Sequence, residues 1–407
     1  MLSALIGLAL ATGAVELALR LVPSLLPDAY LDTLPLRGLA LLDPKLAKEM
    51  PLEGVPLPYA QPPGFSPGRE YHSGPPEDLR LYGLVPAGRS PDADAYPQVR
   101  LPLDSRGLPN AKAVRHAEIL LVGDSFAFTG AVTAPPGLQS VLAANSGATV
   151  YNLGVPGTES LQQHWLLEHY GGALGFDAVI WLYFAGNDLD ETQRLLARKR
   201  SGMETYADLL AESPLSPFLL GEVISSVWRP ATAKVAPGLA GARLAGFPAG
   251  EPVWFLPHYL KQLAMAGDEW QRHPAWPVVR QTLSTVHRTL RDQGKRMLLV
   301  YVPTKAEAYL PFLDPKDARL RAMAAMGQGS VDVWVEKAWK NRGAQEDILR
   351  SFGREAGIDF LSLVPLFTRM ARQGQAAYFA GDTHWSPLGQ RAAALELVRW
   401  YLDADHD

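Results

Sequence analysis

Five short apolar runs, each closed by turn-forming residues, restrict what this chain can fold into. The first is Ile119–Val122, which ends in Gly123-Asp124-Ser125. Thr149–Gly154, Ala178–Phe184, Arg296–Val302 and Ile358–Leu361 follow. Runs this short, rich in β-branched and aliphatic residues and bounded by Gly, Asn or Asp, read as buried strands. Between them lie stretches with helical spacing, over 132–145, 160–170, 278–293, 314–328, 333–357, 363–372 and 390–401, with a break at 327–330. Strands that alternate with helices predict an α/β fold: a three-layer, doubly wound, mostly parallel sheet of five strands.

The chain has 407 residues, no internal repeat, 47% hydrophobic residues and 20% charged ones, which is enough apolar material for a large core. Its net charge is −4 and its densest basic run is only Ala197-Arg198-Lys199-Arg200, so nucleic acid is not an expected partner. Cysteine is absent, which removes disulfides, cysteine nucleophiles and thiolate metal sites from consideration.

The N-terminal residues carry a separate signal. Leu2 to Val15 is free of charge, and the run continues through Glu16 and Arg20 to a stop at Pro23. At 1–22 it is long enough for a transmembrane helix, with Glu16 and Arg20 paired four apart near one interface. Without a basic start or a small-residue cleavage site, it reads as a retained membrane anchor. Arg20 and Arg37 follow the span, and by charge alone that side would stay in the cytoplasm. Residues 23–102 hold twelve prolines between Pro51 and Pro102 and read as an extended connector, partly packed on the domain. Residues 103–407 are the expected main domain, with a large, partly helical insertion at about 189–276.

Ser125 stands where a strand turns into a helix. That turn faces the carboxyl edge of the sheet, where open α/β sheets bind ligands. The unpaired N–H groups of a helix's first turn point to the same place. A serine there can be a nucleophile, and an Asp-Ser pair there can equally be a helix cap.

Four turns end successive strands or approach the last helix: Gly123-Asp124-Ser125, Asn152-Leu153-Gly154, Gly186-Asn187-Asp188 and Asp382-Thr383-His384. In this order they resemble the SGNH (GDSL-type) hydrolase superfamily, over most of 104–404. The resemblance implies a flavodoxin-like sheet, Ser125 as nucleophile, His384 as general base and Asp382 as its orienting partner. It also implies an oxyanion hole made of the Ser125 N–H, the Gly154 N–H and the Asn187 amide, with Asp124 and Asp188 shaping loops. No cofactor or metal is implied. Two departures stand out: the last block is Asp-x-His where Asp-x-x-His is common, and Ala185 replaces a glycine in the third. Asp-Thr-His-Trp, and Pro303-Thr304-Lys305 after the fourth strand, look like the branch that includes alginate-type polysaccharide O-acetyltransferases. That branch works outside the cytoplasmic membrane, which sets the expected location against the charge rule.

The residue types suit acyl transfer. A serine hydroxyl becomes nucleophilic when an imidazole takes its proton, and a carboxylate fixes the imidazole's tautomer. The other eight histidines lack such a context, and Trp181, Trp228, Trp254, Trp270 and Trp276 read mainly as packing residues. The expected activity is an O-acetyl esterase or O-acetyltransferase acting through a Ser125 ester. Its partners would be an acylated carbohydrate or other ester, the membrane, and a membrane acyl-donor protein. The alternative is a non-catalytic binding or scaffold module of the same fold in cell-envelope assembly.

Overall fold

The computed structural model describes residues 11–19, 48–55, 70–71, 99–129, 137–208, 220–221, 224, 242–243, 252–325 and 329–403. Two compact units divide the chain. One comprises residues 1–58 and 195–234, the other 59–194 and 235–407. Within the first, Leu52 N–H donates to the Glu204 carbonyl and Leu220 N–H to the Glu16 carboxylate. Residues 11–19 are helical, and the rest of the expected anchor at 1–22 lies outside the described residues, as do most of the connector and Trp228. Among the described residues no helix is long and apolar enough to cross a membrane.

The second unit is built on a five-stranded sheet. Its strands are β1 (His116–Val122), β2 (Val150–Asn152), β3 (Gly175–Phe184), β4 (Arg296–Val302) and β5 (Asp359–Ser362). The order across the sheet is β2-β1-β3-β4-β5 and every pairing is parallel. Parallel strands need crossovers that cover both faces, which is why the central strands β3 and β4 are apolar along nearly their whole length, while the edge strand β5 is half polar and only partly buried. Alternation sorts them. Ile119, Leu121, Ile180, Leu182, Phe184, Leu298, Val300 and Val302 join one core cluster with the helices Leu138–Ser146, Val364–Arg372 and Pro387–Asp403. Leu120, Val179, Trp181, Met297 and Leu299 point to the other face and are equally buried.

The sequence reading places all five strands, and several helix limits differ. The first crossover helix is described from Leu138 to Ser146. The expected helix at 160–170 is α-helical only to Leu166 and then widens into a π-turn at Leu167–Gly171. The helix expected at 314–328 begins at Ala318, and the one expected at 333–357 is two helices, Val331–Asn341 and Ala344–Ala356. Gly343 stands between them at φ 81°, a left-handed conformation that a helix cannot continue through. The insertion supplies the helices Pro257–Leu263 and Gly267–Gln271, and Trp254, Trp270 and Trp276 are buried as packing residues.

Strand order 2-1-3-4-5 places the switch in winding direction between β1 and β3. The turns after these two strands carry Ser125 and Asn187, so the topology alone brings both to one crevice.

Candidate active site

Val122 ends β1 and Ser125 opens a four-residue helix, α1 (Ser125–Phe128). Asp124 is the N-cap: its carboxylate accepts the Phe126 N–H at 2.9 Å. The cap role of the Asp-Ser pair falls to Asp124, and Ser125 is the first helical residue. Phe126 packs its ring against Phe184 (4.3 Å between centroids), His384 (5.1 Å) and Trp385 (5.0 Å). It bolts the serine turn to the loop that carries His384. The sequence reading missed this residue, since a phenylalanine after Gly-Asp-Ser carries no distinguishing pattern.

Asp382 and His384 lie in the loop before α2 (Pro387–Asp403). Tyr378 and Trp385 pair across the base of that loop, and Phe379 N–H donates to the His384 carbonyl at 3.1 Å. Asp382 Oδ1 accepts from the His384 backbone N–H at 2.6 Å and stands 2.7 Å from His384 Nδ1. A bend brings two residues only two apart into this contact, so the shortened Asp-x-His block suffices. On the other side of the ring, His384 Nε2 is 2.8 Å from Ser125 Oγ, across 259 residues of sequence. With Nδ1–H donating to Asp382, Nε2 is left as the acceptor for the serine proton.

Burial alone would raise the pKa of Asp382. The charge of His384, its two hydrogen bonds and the charge of Lys305 outweigh that and hold the carboxyl below its ordinary value. Asp124 behaves oppositely: burial pushes it up to about 6 against the pull of its Phe126 hydrogen bond and the His384 charge. Asp188, buried and facing the charges of Asp124 and Glu159, is raised well above the ordinary carboxylate range. Its oxygens accept the Phe184 N–H at 2.7 Å and the Gln163 amide at 3.2 Å, which closes the turn that presents Asn187.

The three expected oxyanion donors are placed differently. The Ser125 N–H has no acceptor among the described residues. The Gly154 N–H instead donates to Asn152 Oδ1 at 2.7 Å, and the Asn152 amide donates to the Ala127 carbonyl at 2.7 Å. Asn187 lies against the Asp124 carboxyl, and its own Oδ1 is buried without a donor among the described residues. Asn152 thus clasps the end of β2 to α1, a role the sequence reading did not assign.

Gly154 is needed for space as well. A Cβ there would lie 2.5 Å from Phe128 N and 2.6 Å from Ala127 Cβ, both on α1. Gly154→Ala should push α1 away, lowering kcat for an activated ester by about 10²-fold, since an ångström of misplacement costs that much. It should also cost about 1–3 kcal/mol of stability through overpacking. Steady-state rates and thermal melts check both, and a variant with wild-type values of each would refute the clash.

Ser125, Phe126, Thr129, His384, Trp385 and Gln390 line a small hollow open to solvent. Residues 249–405 match the family model of the SGNH hydrolase-like domain of acetyltransferase AlgX. That stretch contains Asp382 and His384, and Ser125 precedes it. No protein of curated function matches the chain significantly. Among solved structures, a protein from Slackia heliotrinireducens assigned as an SGNH hydrolase is 14% identical, covers 70% of this chain and 98% of its own, and has a TM-score of 0.34. A mutant acetyl-xylooligosaccharide esterase from Geobacillus Stearmophilus is 15% identical, with coverages of 70% and 93% and a TM-score of 0.33. The family match covers the Asp-His loop, and a parallel five-stranded sheet lies behind it: over residues 249–405 the chain resembles the SGNH hydrolase-like domain of AlgX.

Proposed function

We propose that the protein is an acyl-transfer enzyme working through an ester on Ser125. The observation that carries this reading is the continuous contact chain Ser125 Oγ–His384 Nε2 and His384 Nδ1–Asp382 Oδ1, at 2.8 and 2.7 Å. Ser125 Oγ attacks the ester carbonyl while His384 takes its proton. The imidazolium then protonates the departing alcohol, which leaves the acyl group on Ser125. Water or a carbohydrate hydroxyl next gives its proton to His384 and takes the acyl group, and Ser125 recovers its proton. The Ser125 N–H is the first donor to the developing oxyanion. The Gly154 N–H completes the hole by exchanging the neutral Asn152 oxygen for it, since a charged acceptor binds an N–H more strongly than a neutral amide oxygen does, and the Asn187 amide, which has two N–H donors, keeps Asp124 on one and turns the other to the oxyanion.

The substrate class is an O-acylated carbohydrate or a similar ester, and a membrane acyl-donor protein is the corresponding partner for transfer. We place the domain outside the cytoplasmic membrane with residues 1–22 as its tether, a reading supported by the uncharged run Leu2–Val15. The acyl group passes to a carbohydrate hydroxyl where the bound acceptor excludes water, and to water otherwise.

The test is direct. The full chain should react with a fluorophosphonate at Ser125 and hydrolyse p-nitrophenyl acetate, because a small activated ester needs little acceptor binding. Ser125→Ala should do neither. A wild-type protein that forms no adduct and turns over no activated ester would leave the binding-module reading in place.

A further inference from the structure

The residue after Thr304 is a lysine at the carboxyl end of β4, in the first turn of the helix Lys305–Tyr309. Both features of that position work against a cation. The N-terminal end of a helix disfavours positive charge. Lys305 is also only 2% exposed, and burying an ammonium costs several kcal/mol unless it is paired and hydrogen-bonded. The compensation is local. Lys305 Nζ donates to the carbonyls of Phe379 at 3.2 Å, Ala380 at 3.0 Å and Asp382 at 2.7 Å. An ammonium has three donors, and three backbone carbonyls converge on it. The Phe255 ring lies 5.8 Å away and adds a cation–π contribution.

All three carbonyls belong to the loop that presents Asp382 and His384. Other ties fix its flanks: Tyr378 Oη donates to the Pro303 carbonyl at 2.7 Å, Trp254 N–H donates to Ala380 O at 2.9 Å, and Ser386 N–H donates to Ala377 O at 2.9 Å. Lys305 alone reaches the Asp382 main chain from outside the loop among these ties. Its charge is also one of the causes that keep Asp382 ionised.

Building on the acyl-transfer reading, we propose that Lys305 is the positioning residue of the acid–base loop, its buried ammonium acting as a built-in structural cation that sets where Asp382 and His384 stand. Lys305 touches no reacting atom. It acts through the backbone that carries the carboxylate and through its field at that carboxylate.

The experiment uses the full chain with Lys305→Met, which keeps the volume of the stem and removes the charge. Hydrolysis of p-nitrophenyl acetate should lose about 10²-fold in kcat, the cost of a small misplacement of the base. KM should stay within about threefold, because the ester does not contact the lysine. The acid limb of the kcat profile should move to higher pH. Without the cation, both Asp382 and the imidazole of His384 hold their protons more readily. A folded Lys305→Met with wild-type kcat and an unshifted profile would overturn the proposal. If that variant does not fold, the same measurements on Lys305→Gln decide, with the same two outcomes. Should the wild-type protein turn over no ester, the acyl-transfer reading fails separately. The positioning role is then read from the His384 imidazole resonances, assigned with His384→Ala: a higher titration midpoint in the variant supports it and an unchanged one refutes it.

Discussion

Replacing His384 with alanine should lower kcat for p-nitrophenyl acetate by about 10⁴–10⁶-fold, with little change in KM. His384 is the only histidine among the described residues in contact with Ser125, at 2.8 Å, so nothing nearby can take over as base. Ser125→Ala should cost about as much, and the double variant no more than either alone, because the two side chains act as one unit. Asp382→Asn should cost somewhat less, about 10⁴-fold. An amide can still accept the His384 backbone N–H, but it can turn its NH₂ toward Nδ1 and stabilise the wrong tautomer. Asp382 is held below its ordinary pKa, so it stays ionised while His384 titrates, and the rate should rise with pH as the imidazole loses its proton. Any stabilisation that Asp382 contributes is present above its unfolded-state pKa and is lost as pH falls through the lower folded value. Full ester turnover by His384→Ala would sink the triad.

Glu307→Gln should make the protein more resistant to heat in alkaline buffer, by an amount that shrinks as pH falls. Glu307 is buried beside the sheet, and Tyr301 Oη donates to its oxygens at 2.9 and 3.2 Å. Burial pushes its pKa from 4.5 up to about 8, against the Tyr301 hydrogen bond and with help from the charge of Glu346. Between those two values the native protein holds a proton that the unfolded chain has released. Stability therefore falls as pH rises through that window and levels off above about 8. Ionising this buried group costs the native state about 4–5 kcal/mol by linkage. Glutamine cannot ionise and its carbonyl can still accept from Tyr301, so at pH 5 the variant should lie within about 1 kcal/mol of wild type. Asp124 and Asp188 give the wild-type protein the same slope, and their effect cancels in the comparison. Melting temperatures at pH 5, 7 and 9 test this, and a separation that does not grow with pH would refute the buried-acid account.

The strands were legible in the sequence because burial on both faces demands uninterrupted apolar runs, and Arg296–Val302 coincides with its strand end for end. The serine turn and the Asp-Thr-His block were legible for a related reason: each is a local motif whose members lie within two residues of one another. Helix limits were less so. The break at Gly343 depends on a φ of 81°, a conformation that glycine permits but does not announce.

What only the tertiary structure decided is what joins distant parts of the chain. Ser125 and His384 meet because β1 lies at the switch in strand order and the last loop folds over its carboxyl end. The partner of the Gly154 N–H was not legible, because it depends on where the Asn152 side chain turns once β2 has docked against α1. Lys305 stands out in sequence only as the end of the Pro303-Thr304-Lys305 block after the fourth strand. Its burial under three carbonyls of a loop more than seventy residues away exists only in the fold. Local patterns of polarity choose the elements, since each residue's preference for water acts where it stands. Long-range contacts choose the chemistry, since a proton moves only between atoms that packing has brought within hydrogen-bonding distance.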